Sequence, residues 1–588
     1  MTSSQTRGAV AVPAGPVPGP RFGRLVRCAT ALPMAGGLLT VLGALLPWAT
    51  FVLNEGPYPE KATLQFFVAP LGVTGFRLHL LVLGLAAVLV PLLQVRGRGR
   101  IVRALGWGIV ATSLVNGLYI TVEGGGLGAI TASGGSVALG AIVALLGGAL
   151  AVVGALAGGI EPMPVWRWRL PWWAEWLLLL VVFGLLLLVV AEVLTSGGQG
   201  GVVNPYAGAV FLSLLASAGG AFAALHASGL LTWLAAVAER HRVFSIAVLL
   251  VVALLLPLTA AGTEYWMTVA ANIGIYAATA IGLNIVVGLA GLLDLGYVAF
   301  LGIGAFVAAN LSGAAAAEIG IRLPFPLVMI ISAVVAGIFG SIVGSPTLRV
   351  RGDYLAIVTL AFGEIFVRSA QNNIGGLTGG ANAIPNIPQV TAFGTPFNAP
   401  LRLGAIELPS GVLYYVLIVL LVAGVMLMFG NLKNSRLGRA WIAIREDEDA
   451  ARAMGIRTGP IKILAFLIGA TTAGLAGAFF AHKTAVVAYD SFRFLESVTL
   501  LAAVILGGMG TIPGALLGAS ILFVLPEKLR EFSDYRLLLF GLALVVIMRF
   551  RPQGLIPDRH RRAELAPMTA EEPPPPTTAP AAMTGARS

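Results

Sequence analysis

The sequence predicts an all-α protein: a polytopic transmembrane helical bundle of about 14 to 16 membrane segments, some of them broken or re-entrant. Three observations lead there. The 588 residues are 57% hydrophobic and 11% charged, with a mean hydropathy of +0.91, far from soluble globular usage. The apolar residues fall in runs of roughly 20, the length needed to cross a bilayer. Glycine, at 75 residues, is well above average usage, which in a membrane protein fits helices that pack closely on small residues. A water-soluble enzyme is excluded.

In order, residues 1–30 read as a flexible cytoplasmic N-terminus, rich in Pro and Gly. The apolar run at 31–53 is too long for a signal-peptide core and reads as a retained helix. Further spans follow at 75–95, 104–122, 136–159, 175–194, 209–235 and 244–262, giving an N-terminal membrane region over 31–262. A second region, 263–557, carries runs at 266–288, 295–313, 327–346, 354–370, 411–429, 461–481, 498–524 and 535–549. Residues 558–588 contain Pro573 to Pro576 and few large apolar groups, so a disordered Pro-rich tail is expected.

A net charge of +11 would suggest nucleic acid in a soluble protein. Here the arginines sit between spans: Arg21, Arg24 and Arg27, then Arg96 to Arg103, Arg167 and Arg169, Arg240 and Arg242. By the positive-inside rule these loops, and both termini, are expected in the cytoplasm of a bacterial plasma membrane. That parity fails if 498–524 is one unbroken crossing. The stretch GGMGTIPG, Gly507 to Gly514, offers a break, and Gly507, Gly508 and Gly510 become candidate pathway residues.

Chemistry-bearing signals are few. The single Cys28 forbids an intrachain disulfide, and the five His show no ligand spacing, so no metal site is expected. No GxxxxGK[ST] loop, GxSxG elbow or HExxH is present; no catalytic residue and no cofactor bound by this chain is predicted. The segment from Gly430 to Lys462 is polar and too long for a passive connection. Its centre, Arg439 to Met454, is expected to form a short amphipathic helix closed by Gly455.

Five blocks carry a resemblance. They read GLNIVVGLAGLLDLGYVAFLGIGAF (Gly282 to Phe306), LRVRGDYLAIVTLAFGEI (Leu348 to Ile365), NIGGLTGGANAI (Asn373 to Ile384), AIREDEDAARAMGI (Ala443 to Ile456) and LLAAVILGGMGTIPGALLGA (Leu500 to Ala519). In this order they resemble the M-type (LivM) permease of branched-chain amino acid ABC importers over about 265–557, with Asp449 where the coupling signature usually has Glu. The resemblance implies a transport subunit rather than an enzyme. It implies partners: a second homologous permease, two ATPases carrying ATP and Mg, and an external solute-binding protein. It implies that Arg445, Glu446, Asp447, Glu448, Asp449, Ala450, Ala451 and Gly455 belong to an ATPase-coupling helix, with Ala450, Ala451 and Gly455 facing the ATPase cleft and the acidic run meeting a basic rim. The first 240 or so residues have no place in the family pattern and are expected to be dispensable for transport.

Other candidates follow from single residues. Asn284 lies in the first block, and Asp294 among glycines is either a helix N-cap or a pathway group. Glu364, eleven residues past Asp353 and about 16 Å along a helix, either pairs with Arg368 one turn on or faces an interface or pathway. Thr378 and Gly379 lie in a loop expected to face outside, as adaptable backbone or as plain surface. Urea or short amides are alternative substrates. An ion-coupled secondary transporter, resting on Glu364, and a non-transporting scaffold are the competing classes.

Overall fold

The computed structural model describes residues 22–50, 75–93, 97–133, 136–157, 164, 166, 168–195, 207–348, 354–392, 395–403, 406–528 and a few positions from 538 to 556. The N-terminal residues 1–21 and the tail from 557 lie outside them, and the expected span at 535–549 is described at only a few helical positions. The helices are α1 (Phe22–Leu45), α2 (Phe76–Leu92), α3 (Arg98–Glu123), α4 (Gly140–Ala157), α5 (Trp172–Thr195), α6 (Ala207–Ala227), α7 (Leu230–Arg240), α8 (Arg242–Leu255), α9 (Glu264–Asn284), α10 (Val298–Leu311), α11 (Phe325–Gly344), α12 (Tyr354–Gln371), α13 (Val412–Asn434), α14 (Arg436–Glu446), α15 (Glu448–Ala453), α16 (Thr458–Thr484), α17 (Phe494–Gly507) and α18 (Ile512–Lys528). Eight helices among the described residues are long and apolar enough to cross a membrane, and shorter apolar helices such as Val298–Leu311 and Phe494–Gly507 accompany them. This is a polytopic helical membrane protein.

The expected span at 209–235 is two helices. α6 ends at Ala227, and the chain then bends by 104° between Leu230–Arg240 and Val243–Leu258. The expected break after Gly507 is present and takes a definite form. Gly508 (φ 125°) and Gly510 (φ 77°) hold backbone that a residue with a Cβ rarely adopts. A Cβ on Gly507 would collide with the Gly514 carbonyl, and one on Gly518 with the Ala503 carbonyl. α17 and α18 are therefore a tight antiparallel hairpin of helices about 21 and 26 Å long.

The chain divides into two compact units, one of Met1–Ala271, Phe393–Val419 and Val524–Leu538, the other of Asn272–Ala392, Leu420–Phe523 and Leu539–Ser588. In the first, α1 and α4 meet through glycines. A Cβ on Gly36 would lie 2.5 Å from the Gly147 oxygen, and one on Gly43 would lie 2.5 Å from the Ala144 nitrogen. Acyl chains are as apolar as leucine, so such close backbone approach, rather than water exclusion, holds the helices together. α1 ends where buried Arg77 donates from Nε to the Ala44 oxygen (2.7 Å) and from Nη2 to those of Leu45 (2.9 Å) and Leu46 (3.0 Å), supplying donors to its unpaired terminal carbonyls. A second core in this unit joins Ala191 and Leu194 of α5 to Leu256, Trp266, Met267, Val412 and Tyr415.

The second unit centres on α16, which packs closely on α10 and α11. Gly474 sits against the Ser332 oxygen, 2.6 Å from where its Cβ would be, and Gly340 lies 2.7 Å by the same measure from the Phe466 oxygen. Trp441 of α14 is fully buried and donates Nε1 to the Ile461 oxygen at 2.8 Å, which fixes the connecting helices against the start of α16.

Candidate functional site

The chemistry concentrates at one junction inside the second unit, where three helix interruptions meet. α9 does not end cleanly; after Asn284 it opens into a π-helical turn, Ile285–Leu289. Such turns leave backbone groups free to bond elsewhere and recur at functional sites. Asn284 is fully buried. Its Nδ2 donates to the Thr511 oxygen (2.9 Å) and its Oδ1 accepts from the Gly510 N–H (2.8 Å). One side chain thus satisfies both a donor and an acceptor that the hairpin turn leaves open. Lys433, at the end of α13, donates Nζ to the Gly510 oxygen at 2.7 Å.

The third interruption is the polar connection. A single helix over Arg439 to Met454 was expected; the structure has two, hinged at Asp447 (φ −157°, ψ 112°). Ser435 caps α14 by accepting from Gly438 N–H (3.2 Å), and Asp447 Oδ1 caps α15 by accepting from Asp449 and Ala450 N–H (both 2.9 Å). α13 runs to Asn434 and α16 begins at Thr458, so the segment outside the spans is shorter than Gly430 to Lys462. Arg445 reaches from α14 to the π turn. Its Nη1 donates to the Gly288 oxygen at 2.7 Å, its Nη2 to Glu446 Oε1 at 2.7 Å, and its stem lies where a Cβ on Gly291 would be. A continuous chain of contacts runs from Arg445 to Gly288, from the turn to Asn284, and from Asn284 to Gly510 and Thr511.

Several expectations are corrected here. Ala451 is buried inside the chain and faces no external cleft; Ala450 and Gly455 are exposed, and Gly455 (φ 86°) closes α15 with open space around it. The acidic run is mostly spent internally. Glu446 pairs with Arg445, Asp447 is a cap, and Glu448 holds Lys462 and, at 3.2 Å, Arg452. Asp449 stays 70% exposed, 3.8 Å from Arg452. Met454, 83% exposed, is the most prominent apolar group on this surface and carries no sequence signal apart from its place beside Gly455. Lys433 and Lys462 were likewise not singled out, since a lysine at a helix end reads as positive-inside charge.

Asp294 does not cap α10 directly. Its Oδ1 accepts from Gly296 N–H (2.9 Å), while Val298 N–H donates to Ser497 Oγ (3.1 Å) of α17, so a hydroxyl from another helix supplies the cap. Burial pushes the Asp294 carboxyl, which lies in the connection between two helices, up to about 7; its Oδ2 has no hydrogen-bond partner among the described residues. Glu364 and Arg368 are both exposed and no ion pair joins them; Arg368 Nη1 donates to Gln371 Oε1 at 3.0 Å instead. Thr378 and Gly379 belong to a built turn. The Thr378 hydroxyl donates to the Ala370 oxygen (2.8 Å), its N–H to Asn373 Oδ1 (3.1 Å), and the loop is pinned by paired Ile384 and Val487 backbones. No cluster of three or more metal-binding side chains occurs among the described residues.

The described helices, several of them broken, with a short polar helix pair between α13 and α16, are those of a polytopic membrane protein. The family described as the permease component of branched-chain amino acid transport systems matches residues 265–548. The high-affinity branched-chain amino acid transport system permease protein LivM of Salmonella typhimurium is 43% identical over 295 residues, 48% of this chain and 68% of that protein. LivM of Escherichia coli K12 is 42% identical over the same shares. LivH of Salmonella typhimurium, also a permease protein of such a system, is 31% identical over 127 residues, 21% of this chain and 41% of that one. No solved structure matches. This chain belongs to the branched-chain amino acid transport permease family.

Proposed function

We propose that this chain is the LivM-type permease subunit of an ATP-driven importer for branched-chain amino acids. It works beside a second, homologous permease, two ATPases and an extracytoplasmic binding protein. α14 and α15 lie on the cytoplasmic side and dock on an ATPase, whose nucleotide and Mg supply the free energy. The observation that carries the reading is the Arg445 contact to Gly288, with Asn284 joining that same turn to Gly510 and Thr511. A displacement of α14 by a docked ATPase pulls on a π turn rather than on a complete helix, and that turn is bonded to the hairpin between α17 and α18. Packed interfaces with two arrangements convert such small shifts into helix movement.

The charge parity that places the polar segment in the cytoplasm also places both termini there. The hairpin agrees with it. Reading α17 and α18 as two passes keeps the charge parity of the arginine-rich sequence from Arg549 onward.

The test is uptake of labelled leucine by membranes containing the assembled transporter, with and without ATP and with urea and acetamide as competing cargo. Leucine uptake that requires ATP hydrolysis is expected. Uptake that follows an ion gradient without ATP overturns the reading, and ATP-driven uptake of urea or acetamide in place of leucine moves the substrate to the amide class. The docking surface is probed with Met454→Glu and Ala450→Trp, since these positions are exposed. Gly455→Val is a poor probe because a β-branched residue is strained at that φ whatever it touches. Both substitutions should remove stimulated ATP hydrolysis and uptake together while abundance is unchanged.

A further inference from the structure

α12 is two-faced in an unusual way. Its inner face, Leu355, Ala356, Thr359, Val367 and Ala370, is buried. Phe362 stacks on Phe300 at 5.4 Å, and Phe366 meets Phe306 and Phe492, so the helix is held rigidly. Its outer face repeats at the helical period: Tyr354, Ile357, Ala361, Glu364, Ile365 and Arg368 are all exposed. Tyr354 is 70%, Ile357 60% and Ile365 64% exposed. Glu364 sits about 15 Å from the start of the helix and about 10 Å from its end, in the zone where lipid gives a carboxylate no solvation.

A Glu and an Arg four residues apart on a lipid-facing helix should neutralise each other. These do not, and Gln371 holds the guanidinium away. Their Cβ atoms lie roughly 6 Å apart by helix geometry, which leaves room for a small ligand bearing an ammonium and a carboxylate of its own. We infer that the outer face of α12 lines a water-filled passage, shared with the second permease, and holds an amino-acid zwitterion in transit. Glu364 takes the ammonium group, Arg368 the carboxylate, and Ile357 and Ile365 take the aliphatic side chain. The inference rests on the importer reading above and adds to it a binding site on this chain, with the zwitterionic headgroup as what is recognised. Urea and short amides lack both charges and would gain nothing from the pair.

The test uses the assembled transporter in membranes with Cys28→Ser as background. Ile357→Cys and Ala361→Cys should each react with a charged, water-soluble thiol reagent. Saturating leucine with the binding protein should slow that reaction at least about 5-fold, as expected for a ligand covering the thiol. The buried Thr359→Cys is the unreactive control. Reaction only with a lipid-soluble maleimide would show that the stripe faces lipid. No reaction with either reagent would show a dry protein interface, and reaction that leucine does not slow would show water without a site; each of these overturns the proposal. In a second arm, Glu364→Gln should cut leucine uptake at least about 10-fold, the scale of one lost charge-assisted hydrogen bond. Abundance should stay intact, and Glu364→Asp should restore most uptake. Full uptake by Glu364→Gln overturns the site. Failure of the importer reading looks different, because the unmodified chain then takes up no leucine by ATP hydrolysis.

Discussion

The α1 to α4 helices and the helices around α16 use the same packing device and opposite polar chemistry. In both sets glycines bring backbones together, Gly36 onto Gly147 in one and Gly340 onto Phe466 in the other. In the first set polar side chains close on the backbone of an adjoining turn or helix end, and those that cross, Asn116 to Ser213 Oγ (2.7 Å) and His79 to Ser217 Oγ (3.2 Å), join complete helices. Thr40 donates to the Gly36 oxygen (2.9 Å), Thr112 to that of Gly108 (2.8 Å), and Arg77 finishes α1. In the second set they cross between interrupted helices, as Asn284, Lys433 and Arg445 do. Complete helices with satisfied ends make a scaffold. Interrupted helices whose open groups are satisfied by another element make a joint, since moving one end changes the partners of the other.

The sharpest way to break this distinction is Asn284→Leu, similar in size but unable to bond. It leaves the Gly510 N–H and the Thr511 carbonyl without their partner, at about 1 to 3 kcal/mol for each group. If the junction is a joint, leucine uptake falls at least about 100-fold while ATP hydrolysis by the assembled complex continues, because a cost of that size is spent where the two hairpin helices must move together. Loss of protein from the membrane, with normal uptake per remaining molecule, would place Asn284 among the scaffold residues instead.

Removing residues 1–241 tests the other side of the comparison. The family pattern begins near 265, and the expectation is that the first 240 or so residues are dispensable for transport. Within the first unit, however, buried Lys528 of α18 donates Nζ to the Leu194 carbonyl of α5 and lies 4.3 Å from the Trp266 ring, while Ala191 and Leu194 share a core with Met267 and Tyr415. Truncation removes that acceptor and part of that core, a loss of about 1.5 to 3 kcal/mol for the charged hydrogen bond alone. Lower abundance and a lower melting temperature of the detergent-solubilised chain are expected, which adding back a segment from Trp172 should correct. Unchanged melting would restore the view of the extension as independent.

Gly147→Leu sits inside the first set and should behave as a scaffold lesion. Its Cβ would fall 2.6 Å from the Gly36 oxygen, and overpacking of this kind costs about 1 to 3 kcal/mol. Abundance should drop and uptake per molecule should not.

How much of this was legible in the sequence divides along the same line. The existence of the spans, the break at Gly507 to Gly514 and the polar segment near 440–456 were legible, because each rests on a local signal: apolar length, glycine with proline, or charge. The junction was not. Asn284 stands in an apolar run whose neighbours give no hint that it meets Gly510, 226 residues away, and a π turn has no composition of its own. The acidic run misled for a related reason. Four consecutive carboxylates read as a surface field, yet where each one points depends on Asp447 turning the chain, and an isolated cap is indistinguishable in sequence from one more charge.

That run supplies the smallest predicted effect. If Glu446 to Asp449 formed a field that steers an ATPase, each neutralisation would slow association by a similar factor and salt would erase the difference. The structure predicts unequal responses. Asp449 is 70% exposed and 3.8 Å from an Arg452 that is itself 54% exposed, an arrangement worth about 0.2 to 1 kcal/mol at most. Asp447 accepts two backbone N–H groups at 2.9 Å, and losing such a cap costs about 0.5 to 2 kcal/mol and unseats α15. Asp449→Asn should therefore leave ATPase association and uptake within about 2-fold of the unmodified transporter. Asp447→Ala should weaken both through the loss of α15, and Asp447→Ser, which keeps a capping oxygen without the charge, should recover most of the loss. Equal, salt-sensitive defects in Asp449→Asn, Asp447→Ala and Asp447→Ser would return the run to the role of an electrostatic surface.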